Sequence, residues 1–299
     1  MSKAPPLPHR SQTRHVWDRF RRHKMAYLGL WFLLLVTILI FIGPMIWGLD
    51  PTTLNISAKH QGPSLKHPMG TDQLGRDLFS AMMIGGRISL LVGFVAMFLS
   101  LILGTCVGVA AAVFKPLDGP LMRLTDLFLA LPMLPLLLVV IMLWRDSLRT
   151  TIGPESGVFV LIVFVISLTS WMQTARIVRG EVLALKEREF ILAAISLGAG
   201  RRHLIWQHIL PNALSPIFVS ATLGFASAIL TESALSFLGL GFPSDFPTWG
   251  RLLFDGTTYM TLTPARVIWP GLALSLTVLS VNYIGYGVRD AMDPRAGNQ

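Results

Sequence analysis

Six long apolar stretches constrain the fold of this 299-residue chain more than any other feature of its sequence. A helical crossing of the bilayer core takes about 20 residues, with a range of about 17–25. Because lipid offers the backbone no hydrogen-bond partner, each stretch predicts a transmembrane α-helix. The six stretches are Ala26–Gly48, Ile88–Phe114, Leu127–Trp144, Gly157–Ala175, Ala213–Leu240 and Val267–Val288. The predicted fold class is an all-α integral membrane protein with six transmembrane helices, the third kinked or broken by Pro132 and Pro135.

The composition excludes an ordinary soluble domain and gives no sign of catalytic chemistry. Charged residues make up 14% of the chain, whereas soluble domains contain about 25%. The single cysteine, Cys106, allows no intramolecular disulfide and no cysteine metal site. The seven histidines have no metal-ligand spacing, and the sequence lacks a Gly-x-x-x-x-Gly-Lys-Ser/Thr phosphate loop. We therefore expect neither an enzyme nor a metal site, and no cofactor bound by this chain.

Basic residues are distributed unevenly among the segments between the apolar stretches. With the N-terminus inside, the inner segments hold 17 of the 25 lysines and arginines. Since short cytoplasmic loops carry such an excess, both termini are predicted to be cytoplasmic. The formal net charge of +9 then reflects topology and contact with anionic membrane lipid. Nucleic acid is not an expected partner, because no basic and aromatic patch accompanies the charge.

The apolar stretches divide the chain into tails, a first helix, an external segment and a core. The predicted divisions are a cytoplasmic basic tail over 1–25, the first transmembrane helix over 26–48, a periplasmic segment over 49–87, a five-helix core over 88–288 and a cytoplasmic tail over 289–299. The basic tail ends either in an amphipathic helix, with Val16 and Phe20 on one face, or in a disordered anchor.

Span two carries a stripe of small residues at a constant spacing of four. Its members are Ala96, Ser100, Gly104, Gly108 and Ala112. Small residues let helix backbones approach closely in lipid, so this stripe is predicted to face another helix. At the inner end of span three, Arg123 and Asp126 lie three residues apart, which predicts a local ion pair.

Span five repeats this spacing and includes an acidic residue. The stripe consists of Ser220, Gly224, Ala228, Glu232 and Ser236. A carboxylate near the membrane centre costs about 2.5 kcal/mol or more on insertion. Glu232 therefore either lines a translocation path, where it meets a cationic group such as a peptide amino terminus, or lies near the outer surface and caps a helix break. Ser220 and Gly224 share its face and are path candidates with it. Asn282 in span six is another, unless it only hydrogen-bonds across helices.

The segment over 181–212, between spans four and five, is charged and amphipathic. A helix is predicted over Glu181–Leu197 with a glycine turn after it, and a second helix over Arg201–Leu210. Pro211 disfavours helix in the residue before it, which predicts a turn into span five. Such a hairpin buries its apolar side on the protein's own spans, in the lipid interface or in a groove of a soluble partner.

Several motifs in the chain resemble those of ATP-binding-cassette importer permeases. Two alanines at 193 and 194, Gly198 and the Leu-Pro pair at 210–211 resemble the EAA loop of these permeases. The segments "HPMGTDQLGRDLFS", "TARIVRGEVLALKEREF", "RHLIWQHILPN", "ESALSFLGLGF", "PTWG" and "GVRDAMDPR" are similar to the C-type permease of dipeptide, oligopeptide and nickel importers. The chain departs from that family at Leu192, where Glu is usual, at His208, where Ile is usual, and at Tyr286, where Asp is usual.

The resemblance implies a type I importer permease fold and a role as one transmembrane subunit in the bacterial inner membrane. The implied partners are two cytoplasmic ATP-binding subunits, which would hold ATP and Mg²⁺, a second permease and an external solute-binding protein. Peptides are the implied substrate, and nickel chelates, glutathione or another small solute are alternatives. A secondary transporter is the competing class, although Glu232 is the one ionisable residue plainly within a span. A structural membrane protein would explain the stripes but not the hairpin.

The resemblance also assigns residues to two kinds of contact. In the family, the loop inserts a coupling helix into a cleft on the ATP-binding subunit. The residues that take this role here are Glu187, Glu189, Phe190, Ala193, Ala194, Gly198, Arg201, His208 and Pro211. The external loops would receive the binding protein. The candidates there are Asp72, Arg76, Asp77 and Trp249, and the three charged residues alternatively shape a local turn.

Overall fold

The computed structural model describes residues 12–48, 53–243 and 246–292, with side chains from residue 16 onward. The predicted tails and external segment are therefore covered in part, because residues 1–11, 49–52 and 293–299 lie outside the described residues. In chain order the α-helices are Gln12–Arg22 (α1), Lys24–Trp47 (α2), Leu78–Val113 (α3), Lys115–Ala130 (α4), Met133–Ile152 (α5), Pro154–Lys186 (α6), Glu189–Ser196 (α7), Arg201–His203 (α8), Leu210–Asn212 (α9), Leu214–Phe237 (α10), Trp249–Thr257 (α11) and Ala265–Met292 (α12). A 3-10 helix covers Ile56–Ala58, and a π-helix covers Leu204–Ile209.

Within the described ranges, five helices are long and apolar enough to cross a membrane: α2, α3, α6, α10 and α12. The helices α4 and α5 pass the same test only as a pair, which is bent by 88°. The prediction of six spans is confirmed when this pair counts as one, and the predicted break of the third span at Pro132 is confirmed as well. Pro132 accounts for the break, because its ring disfavours helix in the preceding residue, and Leu131 is extended at φ −74° and ψ 137°.

The helices α3 and α6 pack along each other at the centre of the bundle. The small-residue stripe of α3 lies in this contact, as predicted. A Cβ atom on Gly104 would lie 2.6 Å from the carbonyl oxygen of Trp171, and one on Gly108 would lie 2.6 Å from that of Ala175. The other three stripe residues, Ala96, Ser100 and Ala112, are buried. Small residues thus allow the two backbones to touch.

The remaining spans surround this pair. The helix α10 packs against α3, α6 and α12, whereas α2 lies against α12 and α3, and α5 runs along α6. The bundle has two distinct ends. The hairpin end carries residues 187–212, and the opposite end carries residues 53–77 together with α11. Because α3 and α6 both run from the opposite end to the hairpin end, they connect the two.

Two ion pairs attach α4 to α6. Arg179 donates to both carboxylate oxygens of Asp118, and its Nη2 lies 2.7 Å from Oδ2. Asp126 pairs with Arg176, also on α6. The predicted pairing of Asp126 with Arg123 is therefore wrong, because the neighbouring helix offers Asp126 an arginine.

The hairpin differs from its prediction in its first helix and at Pro211, whereas the predicted helix over Arg201–Leu210 is present as α8 and the π-helix that continues it. The predicted helix over Glu181–Leu197 is wrong, because α6 ends at Lys186 and α7 begins at Glu189. Arg188 between them is extended, with φ −76° and ψ 141°. The predicted turn at Pro211 is also wrong. Leu210 before it is helical, with φ −60° and ψ −44°, so the chain continues almost helically from the π-helix through α9 into α10.

Candidate functional site

A glycine in the left-handed conformation ends α7, as predicted. Gly198 has φ +87°, which is accessible to glycine at little cost. Its N–H donates to the carbonyl oxygen of Ile195 at 2.9 Å, and the Ala199 N–H donates to that of Ala194 at 3.0 Å. These two bonds form a Schellman motif, which satisfies the last carbonyl groups of the helix. The chain therefore reverses sharply at Gly198 and returns through Arg201.

One residue anchors α7 to the bundle while most of its surface stays open. Ile191 is 1% exposed and packs with residues of α6 and of the π-helix. In contrast, Phe190, Leu192 and Ile195 are exposed, and Leu197 at the tip is 89% exposed. Exposed apolar side chains in a row of this kind mark a surface that another molecule covers.

Most of the residues predicted to couple to the ATP-binding subunit are exposed around the hairpin. Glu187, Glu189, Phe190, Ala193, Gly198, Arg201 and Pro211 are exposed, and Ala194 and His208 are half-buried. The rings of Phe190 and His208 lie 6.5 Å apart, so the two arms of the hairpin meet there. Leu192, the departure from the family's Glu, is 51% exposed on α7.

A small polar cavity of about 140 Å³ lies between α5, α6 and α10. Its polar lining residues are Thr169, Ser170, Gln173, Thr174, Ser220 and Ser227. Two of the predicted path residues, Ser220 and Gly224, thus line the same cavity. The hydroxyl of Ser220 is buried and has no partner among the described residues. The lining contains no charged side chain.

Sequence reasoning missed the α6 side of this cavity. Within a largely apolar part of α6, Thr169 and Gln173 are four residues apart, as are Ser170 and Thr174, so each pair shares a face. Polar residues repeated on one face of a transmembrane helix point to the bundle interior. That spacing is the available signal, whereas the path candidates predicted from the sequence all lie in spans five and six.

The other two path candidates lie away from this cavity. Glu232 is fully buried near the opposite end of α10. Ser89 Oγ donates to its Oε2 at 3.0 Å, and Ser236 Oγ donates to its Oε1 at 2.7 Å. Asn282 is half-buried on α12, a helix that contributes no residue to the cavity. The structure therefore brings Ser220 and Gly224 together and leaves Glu232 and Asn282 elsewhere.

At the opposite end, Asp77 organises the start of α3. Its Oδ2 accepts from the backbone N–H of Ser80 at 2.8 Å, so Asp77 is the N-cap of the helix. Its Oδ1 lies 2.8 Å from Nδ1 of His67. Asp72 folds the preceding turn by accepting from the backbone N–H groups of Leu74 and Arg76, both at 2.8 Å.

The four candidates for binding-protein contact differ in exposure. Asp77 is 4% exposed and Trp249 is 1% exposed, whereas Asp72 and Arg76 are half-buried. Trp249 donates its indole N–H to the carbonyl oxygen of Met82 at 3.0 Å. The side chains of Asp77 and Trp249 are thus held inside the protein, and those of Asp72 and Arg76 reach the surface.

Comparison with known proteins decides the family of this fold. The family model "Binding-protein-dependent transport system inner membrane component" matches residues 101–298, and the model "N-terminal TM domain of oligopeptide transport permease C" matches residues 11–63. The chain belongs to this family of permeases. Its members are transport subunits rather than enzymes, so the chain is a multi-pass inner-membrane permease that works with ATP-hydrolysing and solute-binding partners.

Curated relatives cover nearly the whole permease. The chain is 36% identical to the dipeptide transport system permease protein of Alkalihalophilus pseudofirmus, over 95% of this chain and 90% of that one. It is 37% identical to the oligopeptide transport system permease protein of Bacillus subtilis, over 93% and 88%. A putative peptide permease protein of Brucella suis is 40% identical, over 93% and 90%.

A solved structure shares the fold of the permease. An inward-facing structure of the MetNI methionine ABC transporter aligns with a TM-score of 0.57 at 18% identity, over 70% of this chain and 95% of that one. The type I importer permease fold is therefore confirmed. Membership of a binding-protein-dependent family also removes the secondary transporter as an alternative.

Proposed function

We propose that this permease imports peptides and forms half of their translocation path. The other half would come from a second, homologous permease. Two cytoplasmic subunits would bind ATP and Mg²⁺, and a periplasmic binding protein would deliver the solute. Both termini would be cytoplasmic, which puts the hairpin end on the ATPase side. The relatives named for dipeptides and oligopeptides support the substrate class.

The exposed hairpin is the observation that carries this proposal. Leu197 projects almost fully from the tip of α7, and Phe190 and Ile195 extend the apolar surface. A cleft on an ATP-binding subunit would cover that surface, and Glu187 and Glu189 would meet basic groups at its rim. The hairpin would thus be the coupling element of this chain.

Movement of the hairpin has a direct route to the polar cavity. The helix α6 is a single element of 33 residues that ends at Lys186, and at 1.5 Å per residue it is about 50 Å long. Gln173 and Thr169 of the cavity lie on the same helix. Closure of the partners on ATP would push α7, and α6 would transmit the shift. ATP drives this change only if it binds one conformation better than the other.

The chemistry of the cavity suits a peptide. Hydroxyl groups and the amide of Gln173 both donate and accept hydrogen bonds, as a peptide backbone does. Such a lining holds the backbone without selecting side-chain charge, so selectivity would belong largely to the binding protein. Glu232 and Asn282 would then act on the path through helix packing.

The opposite end would receive the binding protein. Asp72 and Arg76 offer half-exposed charges there, and the buried Asp77 and Trp249 would position the surface. The divisions of the chain predicted from the sequence, including the coupling hairpin over 181–212, are part of the same proposal.

Disulfide trapping tests the coupling surface. We expect a cysteine at Leu197, in a Cys106→Ser background, to cross-link to a cysteine in an ATP-binding subunit. Leu65→Cys is the matched control, because Leu65 is fully exposed and lies at the opposite end. Trapping of the ATPase through position 65, or its absence through position 197 in an assembled complex, would refute the proposal.

A further inference from the structure

A second cavity, of about 270 Å³, lies beneath the hairpin, where the hairpin meets the end of α3. Seven of its lining residues are apolar: Val113, Ile191, Ile195, Ala199, Leu204, Ile205 and Ile209. The other two are Lys186 and Arg201. A predominantly apolar cavity with two cations suits a molecule that has an apolar body and an anionic group.

Neither cation is fully satisfied by the protein. Lys186 Nζ donates to the carbonyl oxygen of Ala112 at 2.9 Å, which leaves two of its three N–H groups for another acceptor. The guanidinium of Arg201 lies over the ring of Phe114, 5.8 Å from its centroid. In the part of the chain that the structure describes, Arg201 forms no ion pair.

One carboxylate that interacts with Lys186 is already engaged by another residue. Asp118 lies close enough to Lys186 to interact with it electrostatically. However, both carboxylate oxygens of Asp118 accept hydrogen bonds from Arg179. The Asp118–Arg179 pair is neutral as a unit, so Lys186 and Arg201 leave the cavity positively charged.

The cavity lies at the level of the last turn of α3, one of the helices that are long and apolar enough to cross a membrane. Val113 is both the last residue of α3 and part of the cavity lining. Exposed aromatic residues flank this level, namely Phe114, which touches Arg201, and Trp206, which is 66% exposed beside Ile205. Aromatic side chains of this kind lie at the headgroup level of a bilayer.

We propose that this cavity binds an anionic phospholipid. The phosphate would lie between Lys186 and Arg201, and the start of an acyl chain would lie against the apolar lining. Basic pockets beside transmembrane helices bind anionic headgroups in this way. The lipid would contact Ile191 and Ile195 of α7 together with Val113 of α3, and so would brace the hairpin against the bundle. Lipid binding does not depend on the transported solute, so it can be tested apart from transport.

Native mass spectrometry of the purified importer complex tests the site. The complex is exchanged into micelles that contain phosphatidylglycerol or phosphatidylcholine, and the retained lipid is counted. We expect retention of phosphatidylglycerol over phosphatidylcholine, and a several-fold loss in the Lys186→Gln/Arg201→Gln variant. Ala199→Leu, which keeps both cations but fills the cavity, should lower retention as well. Arg202→Gln is the matched control, because Arg202 is exposed, adjacent to Arg201 and outside the cavity lining.

Addition of inorganic phosphate distinguishes a lipid from a free anion. We expect phosphatidylglycerol to stay bound, because phosphate lacks the acyl chain that the apolar lining would hold. Displacement by phosphate, with Ala199→Leu behaving as wild type, would assign the cavity to a free anion and overturn the proposal. Equal retention in wild type and the double variant would also overturn it.

Discussion

At the residue scale, Glu232 illustrates how this protein keeps a carboxylate within a membrane helix. Its two oxygens accept from Ser89 on α3 and from Ser236, one turn along α10. The Ser89 hydroxyl in turn accepts from the backbone N–H of Trp249 at 3.2 Å. A carboxylate without such donors would be costly in lipid. The cluster therefore joins α3, α10 and the start of α11.

Two replacements of Glu232 distinguish the contribution of its side-chain volume to stability from that of its hydrogen bonds. We expect Glu232→Ala to lower the free energy of unfolding by about 1–3 kcal/mol, because buried serine hydroxyls lose their acceptor. Glu232→Gln should cost less, since its amide oxygen still accepts. Thermal unfolding of the purified complex measures both. Thr231→Ala is the control, because that hydroxyl bonds only within its own helix, to Ser227. Equal stability of the Ala variant and wild type would contradict this role.

Single residues were predictable from the sequence where local chemistry decides their conformation. Gly198 after an amphipathic helix indicates a left-handed end, and Pro132 indicates a break. The partners of Asp126 and Glu232 were not predictable, because Arg176 and Ser89 come from other helices. Periodicity places a side chain on a face but does not identify the helix that meets that face.

At the element scale, contact between α3 and α6 depends on the absence of side chains at two glycines. We expect Gly104→Ala to destabilise the protein by about 1–3 kcal/mol, because the new methyl group would press on the backbone of Trp171. Gly180→Ala on α6 is a matched control, since its Cβ would meet nothing within 4 Å. Thermal unfolding of the two variants checks this. Equal loss of stability in both would show that helix contact at Gly104 is not the cause.

The end of α7 provides a second test at this scale. We expect Gly198→Trp to insert normally but to lower uptake about tenfold or more, since a side chain at positive φ costs about 1–2 kcal/mol and shifts the coupling surface. Gly200→Trp is the matched control, because Gly200 is exposed, has φ −70° and has open space around it. Uptake per inserted protein measures the effect. Normal uptake by a well-expressed Gly198→Trp variant would contradict the coupling role.

The sequence predicted the presence of the transmembrane helices more reliably than the residues at which they begin and end. The apolar stretch at Gly157–Ala175 is the first part of α6, and the helix continues beyond it through a charged segment to Lys186. Likewise, α3 begins ten residues before its predicted span, at the N-cap Asp77. Apolar periodicity marks the membrane-embedded part of a helix and says little about its polar continuation.

At the scale of the whole molecule, two long helices join the hairpin end to the opposite end. The exposed surface of α7 lies at one end, the cluster around Asp77 lies at the other, and the polar cavity faces α6 between them. The number of spans followed from composition, and the family followed from short motifs. The break at Pro132 was also predictable, but its angle of 88° and the order of helix packing were not, because the arrangement of helices depends on contacts between residues distant in sequence.

The most direct test of the account is peptide uptake by the complete importer in proteoliposomes. The complex is reconstituted into vesicles. The binding protein and labelled peptide are added outside, and ATP is either enclosed in the vesicles or omitted. We expect uptake that requires ATP, persists when ionophores collapse the ion gradients, and stops in the Gly198→Trp variant. Uptake without ATP that disappears with the ion gradient would contradict it.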